Sequence, residues 1–278
     1  MTLLEGRRLA EKMLVALREE IVSSKKKVRL AVVVVGSDPV VEKFIAQKQK
    51  AARAVGIDVR IYPFEETVTT NDLRKRIAKI VHEKKNTGVI IQLPLPPHIN
   101  KQYILNSVVH KKDVDVLSAR ALGNWIVGKS PVMPPVAGAV KTLLDEYQIS
   151  YRDKYIVVMG AGGLVGRPVA LWLLQEGVTF GIITKAHPHS ERLLKEADII
   201  ISGVGKPGLI TGALTREGVV VIDAGTSESA GKLVGDVDFD SVAPKTSFIT
   251  PVPGGIGPLT VAVLLKNLWT LAKTRDTY

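Results

Sequence analysis

Cysteine is absent from the 278 residues, and histidine occurs only five times. Disulfide bonds, thiolate metal sites and a cysteine nucleophile are therefore excluded, and no two histidines have a convincing metal-ligand spacing. Long apolar runs are also missing, since none approaches the roughly 20 residues that span a bilayer. The N-terminus carries charges among apolar residues at helical spacing, unlike a signal peptide. We therefore expect a globular protein with no membrane segment and no resident metal.

The composition is that of an ordinary globular protein, with 46% hydrophobic and 23% charged residues, and the length is sufficient for two domains. The net charge of +11 raises the question of a nucleic-acid partner. Only one dense basic run occurs, Lys25 to Arg29, and it lies between a predicted helix and a predicted strand. Such a run is more typical of a solvated turn, so we expect no nucleic-acid partner. A basic chain suits anionic small molecules equally well.

A glycine-rich turn joins an apolar run, Tyr155 to Met159, to a stretch with helical spacing. Gly160 and Gly162 permit the positive φ angles and close backbone approach that a pyrophosphate requires. Gly166 allows the helix to pack closely on the strand, and the first amides of that helix can face an anion. The G-x-G-x-x-x-G spacing is one residue longer than the usual dinucleotide fingerprint. A tight strand-to-helix turn without a ligand is the alternative interpretation.

Two further apolar runs, 196–205 and 217–225, also end in small residues. Strands that end this way leave room for a ligand at the carboxyl edge of a parallel sheet. We therefore predict a doubly wound nucleotide-binding domain of the Rossmann type.

The first half of the chain alternates strands and helices on its own. The predicted elements are a first helix over 3–22, strands over 30–35, 58–62 and 88–92, a helix that begins at Asp38–Pro39, and a helix that Thr70 caps. This order predicts a separate α/β domain with a parallel sheet. The last helix, 259–273, is apolar nearly all round and is expected to pack on that domain. The predicted domains are 1–119 plus 258–278, and 120–257, with a cleft between them.

Three segments of the first domain carry candidate chemistry. Lys48 shares a helix face with Phe44, four residues earlier, but a solvated lysine beside a core aromatic is the simpler interpretation from spacing alone. Gln92 ends a strand, where its amide can bind Lys48 or a polar heterocycle. Asp113 and Asp115, two apart in an expected extended loop, should point the same way. Two carboxylates without a third ligand are a weak metal signal, and pairing of one with an aminopyrimidine-like group is the other option.

The segment PVPGGIGPLT, 251–260, is rich in rigid and small residues and precedes a helix. Such a loop suits a flat ligand, although it could equally join two domains. Because no G-x-S-x-G, Walker or kinase pattern occurs, the cofactor domain has to supply the chemistry, and hydride transfer is its usual use.

At this point the chain resembles a known family. The matching segments, in order, are VGSDPVVEKFIAQKQKAARAVGI, GVIIQLPLPPHI, KKDVDVLSA, GAGGLVGRPVA, ADIIISGVGKPGLI, GVVVIDAG and TPVPGGIGPLTVA. Together they resemble the bifunctional methylenetetrahydrofolate dehydrogenase/methenyltetrahydrofolate cyclohydrolase family over nearly the whole chain. The resemblance implies a cytoplasmic two-domain α/β enzyme of one-carbon metabolism that binds tetrahydrofolate derivatives and forms a homodimer.

Site residues follow from the same resemblance. The family's essential lysine matches Lys48, its supporting glutamine matches Gln92, and the aspartate that holds the pterin ring matches Asp115. The implied substrate-binding residues are Phe44, Pro253, Gly254 and Gly255, the last three beside the nicotinamide.

The sequence departs from the family pattern near the expected folate site. Phe44 stands where the family has tyrosine, and Val40 and Val41 replace an alanine and a serine. Val116 replaces the glycine of the family's D-V-D-G motif. In the segment before the linker helix, residues 135–137 are Pro-Val-Ala where the family has Cys-Thr-Pro. The catalytic lysine, amide and acid are retained, while their surroundings become more apolar.

The cofactor is predicted from the second strand of the nucleotide domain. NAD enzymes usually carry an acid about 20 residues past the glycines, whereas here the strand is followed by Lys185 and His187. This favours a 2′-phosphate and therefore NADP, with NAD as the alternative. The predicted cofactor-binding residues are Gly160, Ala161, Gly162, Gly163, Val165, Gly166, Lys185, His187, Gly203, Val204, Gly205 and Thr226.

The predicted function is NADP-dependent oxidation of 5,10-methylenetetrahydrofolate to the methenyl form and its hydrolysis to 10-formyltetrahydrofolate. Two alternatives stay open at this stage. One is a member that is only a dehydrogenase or uses an altered pterin. The other is a non-catalytic nucleotide- or pterin-binding protein.

Overall fold

The computed structural model describes residues 1–184, 190–229 and 232–274. The elements, in chain order, are β1 (Thr2–Leu3), α1 (Gly6–Ser24), β2 (Arg29–Val35), α2 (Pro39–Ala54), β3 (Asp58–Phe64), α3 (Thr70–His82), β4 (Gly88–Ile91), α4 (Lys101–Leu105), α5 (Ala119–Ile126), α6 (Pro135–Glu146), β5 (Ile156–Met159), α7 (Gly166–Gln175), β6 (Phe180–Ile183), α8 (Ser190–Glu196), β7 (Ile199–Ser202), β8 (Val219–Asp223), β9 (Ser227–Ser229), β10 (Lys232–Val234), α9 (Phe239–Val242), β11 (Thr246–Ile249) and α10 (Ile256–Thr274). Within these ranges no helix combines the length and the apolar character needed to cross a bilayer.

The chain forms two compact units. One comprises Met1–Ala10 and Val136–Thr260, and the other comprises Glu11–Pro135 and Val261–Tyr278. We call the first the nucleotide unit and the second the lysine unit. Each contains a parallel sheet, which confirms the expected two-domain α/β class.

The lysine unit is built on a three-stranded parallel sheet in the order β3-β2-β4. Strand β2 is a run of apolar, mostly β-branched residues, and most of its side chains are buried, as expected where helices cover both faces of a parallel sheet. Asp38 caps α2 through its carboxylate, which accepts from the amides of Val40 and Val41, and Pro39 opens the helix as predicted. The predicted cap of α3 was wrong by one residue, because the Thr69 hydroxyl accepts from the amide of Asp72.

The nucleotide unit is built on a six-stranded parallel sheet in the order β1-β11-β8-β7-β5-β6. After β5 the chain adds β6 on one side and then returns to add β7 on the other. This reversal leaves a crevice at the carboxyl end of β5, the place where open α/β sheets bind ligands. Strands β5, β7 and β8 are fully buried and read as continuous apolar runs, as predicted for central parallel strands.

Candidate functional site

Lys48 and Gln92 meet at the carboxyl edge of the three-stranded sheet. Lys48 lies on α2, and Gln92 is the first residue after β4. The Lys48 ammonium donates to the Gln92 side-chain oxygen at 2.8 Å, and the Gln92 amide donates to the Leu93 carbonyl at 2.8 Å. Gln92 is buried and Lys48 is half-buried. The solvated-lysine interpretation is therefore wrong for this residue.

Asp115 approaches Lys48 from a third segment, and each charge shifts the pKa of the other. Burial raises the pKa of Asp115 to about 6, and the nearby Lys48 charge opposes that rise. Burial lowers the pKa of Lys48, and the Asp115 carboxylate opposes that change. We call Lys48, Gln92 and Asp115 the amine site. It combines an ammonium that loses its proton more readily than usual with a carboxyl that keeps its proton longer than usual.

The loop that carries Asp115 differs from the predicted extended path. Asp113 and Asp115 do not play the same part, because residues 111–115 form turns and a bridge to β4. Asp113 is 3% exposed, and its carboxylate accepts from the backbone amides of Ser118 at 2.8 Å and Leu117 at 3.4 Å. Burial raises the pKa of Asp113, and these hydrogen bonds oppose the rise. Asp113 thus shapes the loop, while Asp115 is close enough to Lys48 for the two charges to interact.

Asn267 holds the same loop from α10, and the sequence analysis did not identify it. Its side-chain amide donates to the carbonyl of Val114 at 3.0 Å and to that of Met133 at 2.8 Å. Asn267 is 5% exposed and, apart from the neighbouring Lys266, lies in an apolar stretch of helix. A buried asparagine among apolar residues is the signal that could have identified it, because buried amides need partners.

Phe44 lies one helical turn before Lys48 on α2 and is half-buried. Val116, the other departure beside the amine site, is buried and has a φ of +57°. A β-branched residue is strained in that region, which glycine adopts freely. The replacement of glycine by Val116 therefore costs local stability beside Asp115.

The glycine turn (residues 160–166) lies at the crevice of the nucleotide unit. Gly160 has a φ of +94°, as the sequence analysis expected for a tight turn. Gly166 packs so closely that a Cβ there would overlap the Gly160 carbonyl oxygen, whereas a Cβ on Gly162 or Gly163 would meet no atom within 4 Å. Val165 caps α7 without a side-chain hydrogen bond. Pro168 has no N–H and the Arg167 amide donates to the Gly162 carbonyl at 3.0 Å, so the Gly166 amide is the donor that this first turn leaves for a ligand. This arrangement fits a pyrophosphate at a helix N-terminus.

The second loop at this crevice follows β7. Gly203 is close to the glycine turn, since its carbonyl oxygen would lie 2.9 Å from a Cβ on Gly160. Val204 and Gly205 are exposed beyond it, and Gly205 has a φ of +77°. Ala161 is half-exposed in the turn, and Thr226 is exposed after β8. Lys185 and His187, predicted to select the cofactor, lie outside the described residues.

The loop 251–255 belongs to the nucleotide unit and is fixed by backbone contacts. Gly254, with a φ of +119°, accepts from the Arg7 amide at 2.8 Å, and Gly255 donates to the Pro251 carbonyl at 2.8 Å. Gly255 also packs against Gly6, where a Cβ would overlap its carbonyl oxygen. Pro253 follows a cis peptide bond and is exposed. Backbone hydrogen bonds and close packing of glycines therefore hold this loop.

Taken together, these features define a two-domain α/β enzyme with a dinucleotide-binding domain and a domain that carries a paired lysine, amide and carboxylate. The family model described as tetrahydrofolate dehydrogenase/cyclohydrolase, catalytic domain, matches residues 4–115. The model of the NAD(P)-binding domain of the same family matches residues 134–276. The chain belongs to the tetrahydrofolate dehydrogenase/cyclohydrolase family.

Individual relatives agree over the full length. The bifunctional protein FolD of Nautilia profundicola is 40% identical over 98% of this chain and 98% of the relative. The crystal structure of the bifunctional FolD dehydrogenase/cyclohydrolase from Campylobacter jejuni has a TM-score of 0.94 at 38% identity and covers 99% of each chain. That of Trypanosoma brucei FolD, complexed with NADP and an inhibitor, has a TM-score of 0.95 at 31% identity and covers 100% of this chain and 99% of that one.

Proposed function

We propose that the amine site carries the chemistry of an enzyme that oxidises 5,10-methylenetetrahydrofolate with NADP and hydrolyses the methenyl product to 10-formyltetrahydrofolate. Both activities are those of the family to which the chain belongs. The observation that carries the assignment of residues is the convergence of Lys48, Gln92 and Asp115 from three separate segments.

The hydrolytic step requires proton transfer, and Lys48 is suited to it. Water adds through its oxygen to the cationic methenyl carbon and must lose a proton. Because burial lowers the pKa of Lys48, more of the amine is neutral near pH 7 and able to take that proton. The bond from that carbon to N5 then breaks, N5 gains a proton, and the hydroxyl formed from water loses its remaining proton as the formyl C=O forms, so that one proton is released overall. Gln92 holds the Lys48 nitrogen in one place by accepting its hydrogen bond.

The oxidative step depends more on orientation than on acid–base help, because the nitrogen lone pairs of the substrate assist loss of hydride from the methylene carbon. NADP, when bound, accepts that hydride. The glycine turn and the Gly166 amide at the start of α7 are the groups of this chain that would hold its pyrophosphate. Asp115 fits the pterin ring, since a carboxyl that is partly protonated near pH 6 can accept or donate a hydrogen bond.

Replacement of Lys48 by methionine tests this assignment. Lys48→Met keeps the length of the side chain and removes the amine, so we expect cyclohydrolase turnover to fall at least about a hundredfold. Dehydrogenase turnover should fall much less. Lys50→Met, an exposed lysine on the same helix, is the matched control. The measurement is the decay of methenyltetrahydrofolate absorbance, and a near-normal rate in Lys48→Met would refute the assignment.

We further propose that the chain acts as a homodimer in the cytoplasm, within one-carbon metabolism that supplies purine biosynthesis. The family resemblance supports this proposal. Sedimentation equilibrium of the purified protein tests the dimer, because a mass near twice the 30.1 kDa of the chain is expected and a single-chain mass contradicts it.

A further inference from the structure

Two buried aspartates lie at the carboxyl edge of the six-stranded sheet and have no part in the mechanism above. Asp223 is the last residue of β8 and is 2% exposed. Asp236 lies between β10 and α9 and is fully buried. Buried carboxylates are costly unless hydrogen bonds satisfy them, so their partners show what they hold.

Asp236 holds the loop that follows β7. One of its carboxylate oxygens accepts from the Ser202 hydroxyl at 2.6 Å and from the Val204 amide at 2.7 Å. The other accepts from the Lys206 amide at 2.8 Å. Three donors on five consecutive residues therefore converge on one carboxylate. Hydrogen bonds to a charged acceptor are stronger than neutral ones, so this loop has a defined backbone path.

The loop held by Asp236 packs directly on the glycine turn. A Cβ added to Gly203 would overlap the Val165 side chain, and a Cβ added to Gly160 would lie 3.4 Å from a methyl group of Val204. The loop and the turn are thus in contact at both ends of the turn. Any displacement of residues 203–206 must move the residues that face the crevice.

Asp223 and Asp236 each contact the segment that carries the other. The Asp223 carboxylate accepts from the amides of Gly225 at 2.9 Å and Val237 at 2.9 Å. A Cβ on Gly225 would overlap the Asp236 carboxylate, and a Cβ on Gly235 would overlap that of Asp223. The Asp236 carboxylate therefore packs on Gly225, two residues after Asp223. The Asp223 carboxylate packs on Gly235, the residue before Asp236. Burial raises the pKa of Asp223 to about 6, and the charge of Asp236 adds to that rise.

We propose that Asp236 is a positioning residue for the cofactor. It fixes the backbone of residues 203–206 against the glycine turn, so that the dinucleotide-binding site has its binding conformation before NADP binds. The inference rests on the proposed cofactor assignment and adds a residue that itself touches no cofactor. Preorganisation of this kind contributes to affinity, because the loop need not be ordered on binding.

The test is Asp236→Asn in the full-length protein. Asparagine has the same size and keeps the contact with Gly225, but one oxygen becomes an amide that cannot accept from a backbone N–H. We expect the Kd for NADP, measured by calorimetry, and the KM for NADP to rise about tenfold. The dehydrogenase kcat at saturating NADP and the cyclohydrolase rate should change less than twofold, since an effect confined to cofactor binding raises KM alone.

Asp198→Asn is the matched control. Asp198 directly precedes β7, whereas Ser202 is the last residue of β7, so the two residues lie at opposite ends of this strand. Its carboxylate also accepts from a backbone amide, that of Tyr155 at 2.8 Å, and also pairs with Arg216. Loss of Asp198 should lower the thermal midpoint without raising the KM for NADP. An equal rise in KM in both variants would overturn the inference and indicate general destabilisation.

Other outcomes are equally decisive. Unchanged NADP affinity in Asp236→Asn, with normal binding in the wild-type chain, would overturn this inference alone. Absence of NADP binding in the wild-type chain would instead count against the proposed function. If Asp236→Asn does not fold, Ser202→Ala carries the test, because it removes one donor and leaves both amide bonds. A two- to threefold weaker NADP affinity supports the inference, and unchanged affinity overturns it.

Discussion

The two parallel sheets present very different groups at their carboxyl edges. In the lysine unit the edge carries side chains, Lys48, Gln92 and Asp115, and burial shifts the pKa of both charged members. In the nucleotide unit the edge consists of the glycine turn and the loop after β7, whose glycines allow a ligand to approach the backbone closely. Two aspartates of this edge, Asp223 and Asp236, are buried beneath the loops, while Arg167 and Lys206 are exposed.

The difference follows from the two tasks. Proton transfer needs a titratable group, and that group must be partly buried so that its pKa approaches the working pH. Dinucleotide binding needs fixed dipoles and close approach, which glycines and helix N-termini provide without titration. The lysine unit therefore uses titratable side chains at its edge, whereas the nucleotide unit uses backbone loops that a buried carboxylate holds in place. Substitutions at the two edges should fail in different ways.

In the nucleotide unit the largest effect is expected at the glycine turn, from Gly166→Ala. The new Cβ would overlap the Gly160 carbonyl oxygen, and since both atoms belong to rigid backbone the turn must move. Overpacking of this kind costs about 1–3 kcal/mol, which corresponds to a loss of NADP affinity of about ten- to a hundredfold. Calorimetric titration with NADP measures it. Cyclohydrolase activity should persist, because that step uses no hydride acceptor.

Gly257→Ala provides the control for this substitution. Gly257 is the second residue of α10, and a Cβ there would meet no atom within 4 Å. The same chemical change at another helix start should leave NADP affinity within a factor of two. Similar losses in both variants would mean that the glycine turn has no special packing requirement.

Asp115→Asn is expected to have a smaller effect and to lower the cyclohydrolase kcat/KM about tenfold, because it removes the carboxyl proposed to bind the pterin ring. The carboxylate favours the charged form of Lys48, so its removal should lower the pKa of Lys48 further. The limb of the pH–rate profile that reports Lys48 should move to lower pH. Any limb near pH 6 that reports Asp115 itself should vanish, because asparagine does not titrate.

The profile of kcat/KM against pH reports the free enzyme and is the measurement for this prediction. Glu65→Gln removes an exposed carboxylate elsewhere in the lysine unit and should leave the profile unchanged. A Lys48 limb that moves to higher pH would contradict the electrostatic account of the amine site.

The glycine turn of the nucleotide unit is easier to predict from the sequence than the amine site of the lysine unit, for a physical reason. The glycine turn lies within seven consecutive residues, so the local pattern reveals both the turn and its neighbouring strand and helix. The amine site joins Lys48 to Gln92 across 44 residues, and spacing alone favours a solvated lysine. Only the family resemblance identified that lysine, because tertiary contacts determine its burial.

Buried polar residues that support the loops were the hardest to predict. Asp113 and Asp115 look equivalent in the sequence, yet one satisfies loop amides and the other is close enough to Lys48 for the two charges to interact. Asp236 and Asn267 give no periodic signal, since their partners, mostly backbone groups, are distant in the chain. Whether a polar side chain is buried depends on the packing of several segments, which a local pattern does not contain.

The smallest predicted effect concerns Phe44, which keeps the aromatic ring of the family's tyrosine and lacks its hydroxyl. Phe44→Tyr would return a hydroxyl one helical turn from Lys48, within the half-buried surroundings of that lysine. Two consequences oppose each other. The hydroxyl can orient water for the hydrolytic step, but it also makes the surroundings of Lys48 more polar, which reduces the burial that lowers its pKa. We expect water orientation to dominate, with a rise in cyclohydrolase kcat of about threefold, less than the worth of one hydrogen bond to a charged group.

Dehydrogenase kcat should stay within a factor of two in Phe44→Tyr, because the oxidative step depends on orientation rather than on proton transfer. Phe64→Tyr, which adds the same hydroxyl to the partly buried core of the lysine unit, separates a local effect from a general one. An unchanged cyclohydrolase rate in Phe44→Tyr would show that the amine site works without that hydroxyl. The apolar substitutions around Lys48 would then affect catalysis mainly by desolvating the amine. This would strengthen the contrast between the lysine unit, whose edge acts through titratable groups, and the nucleotide unit, whose edge does not.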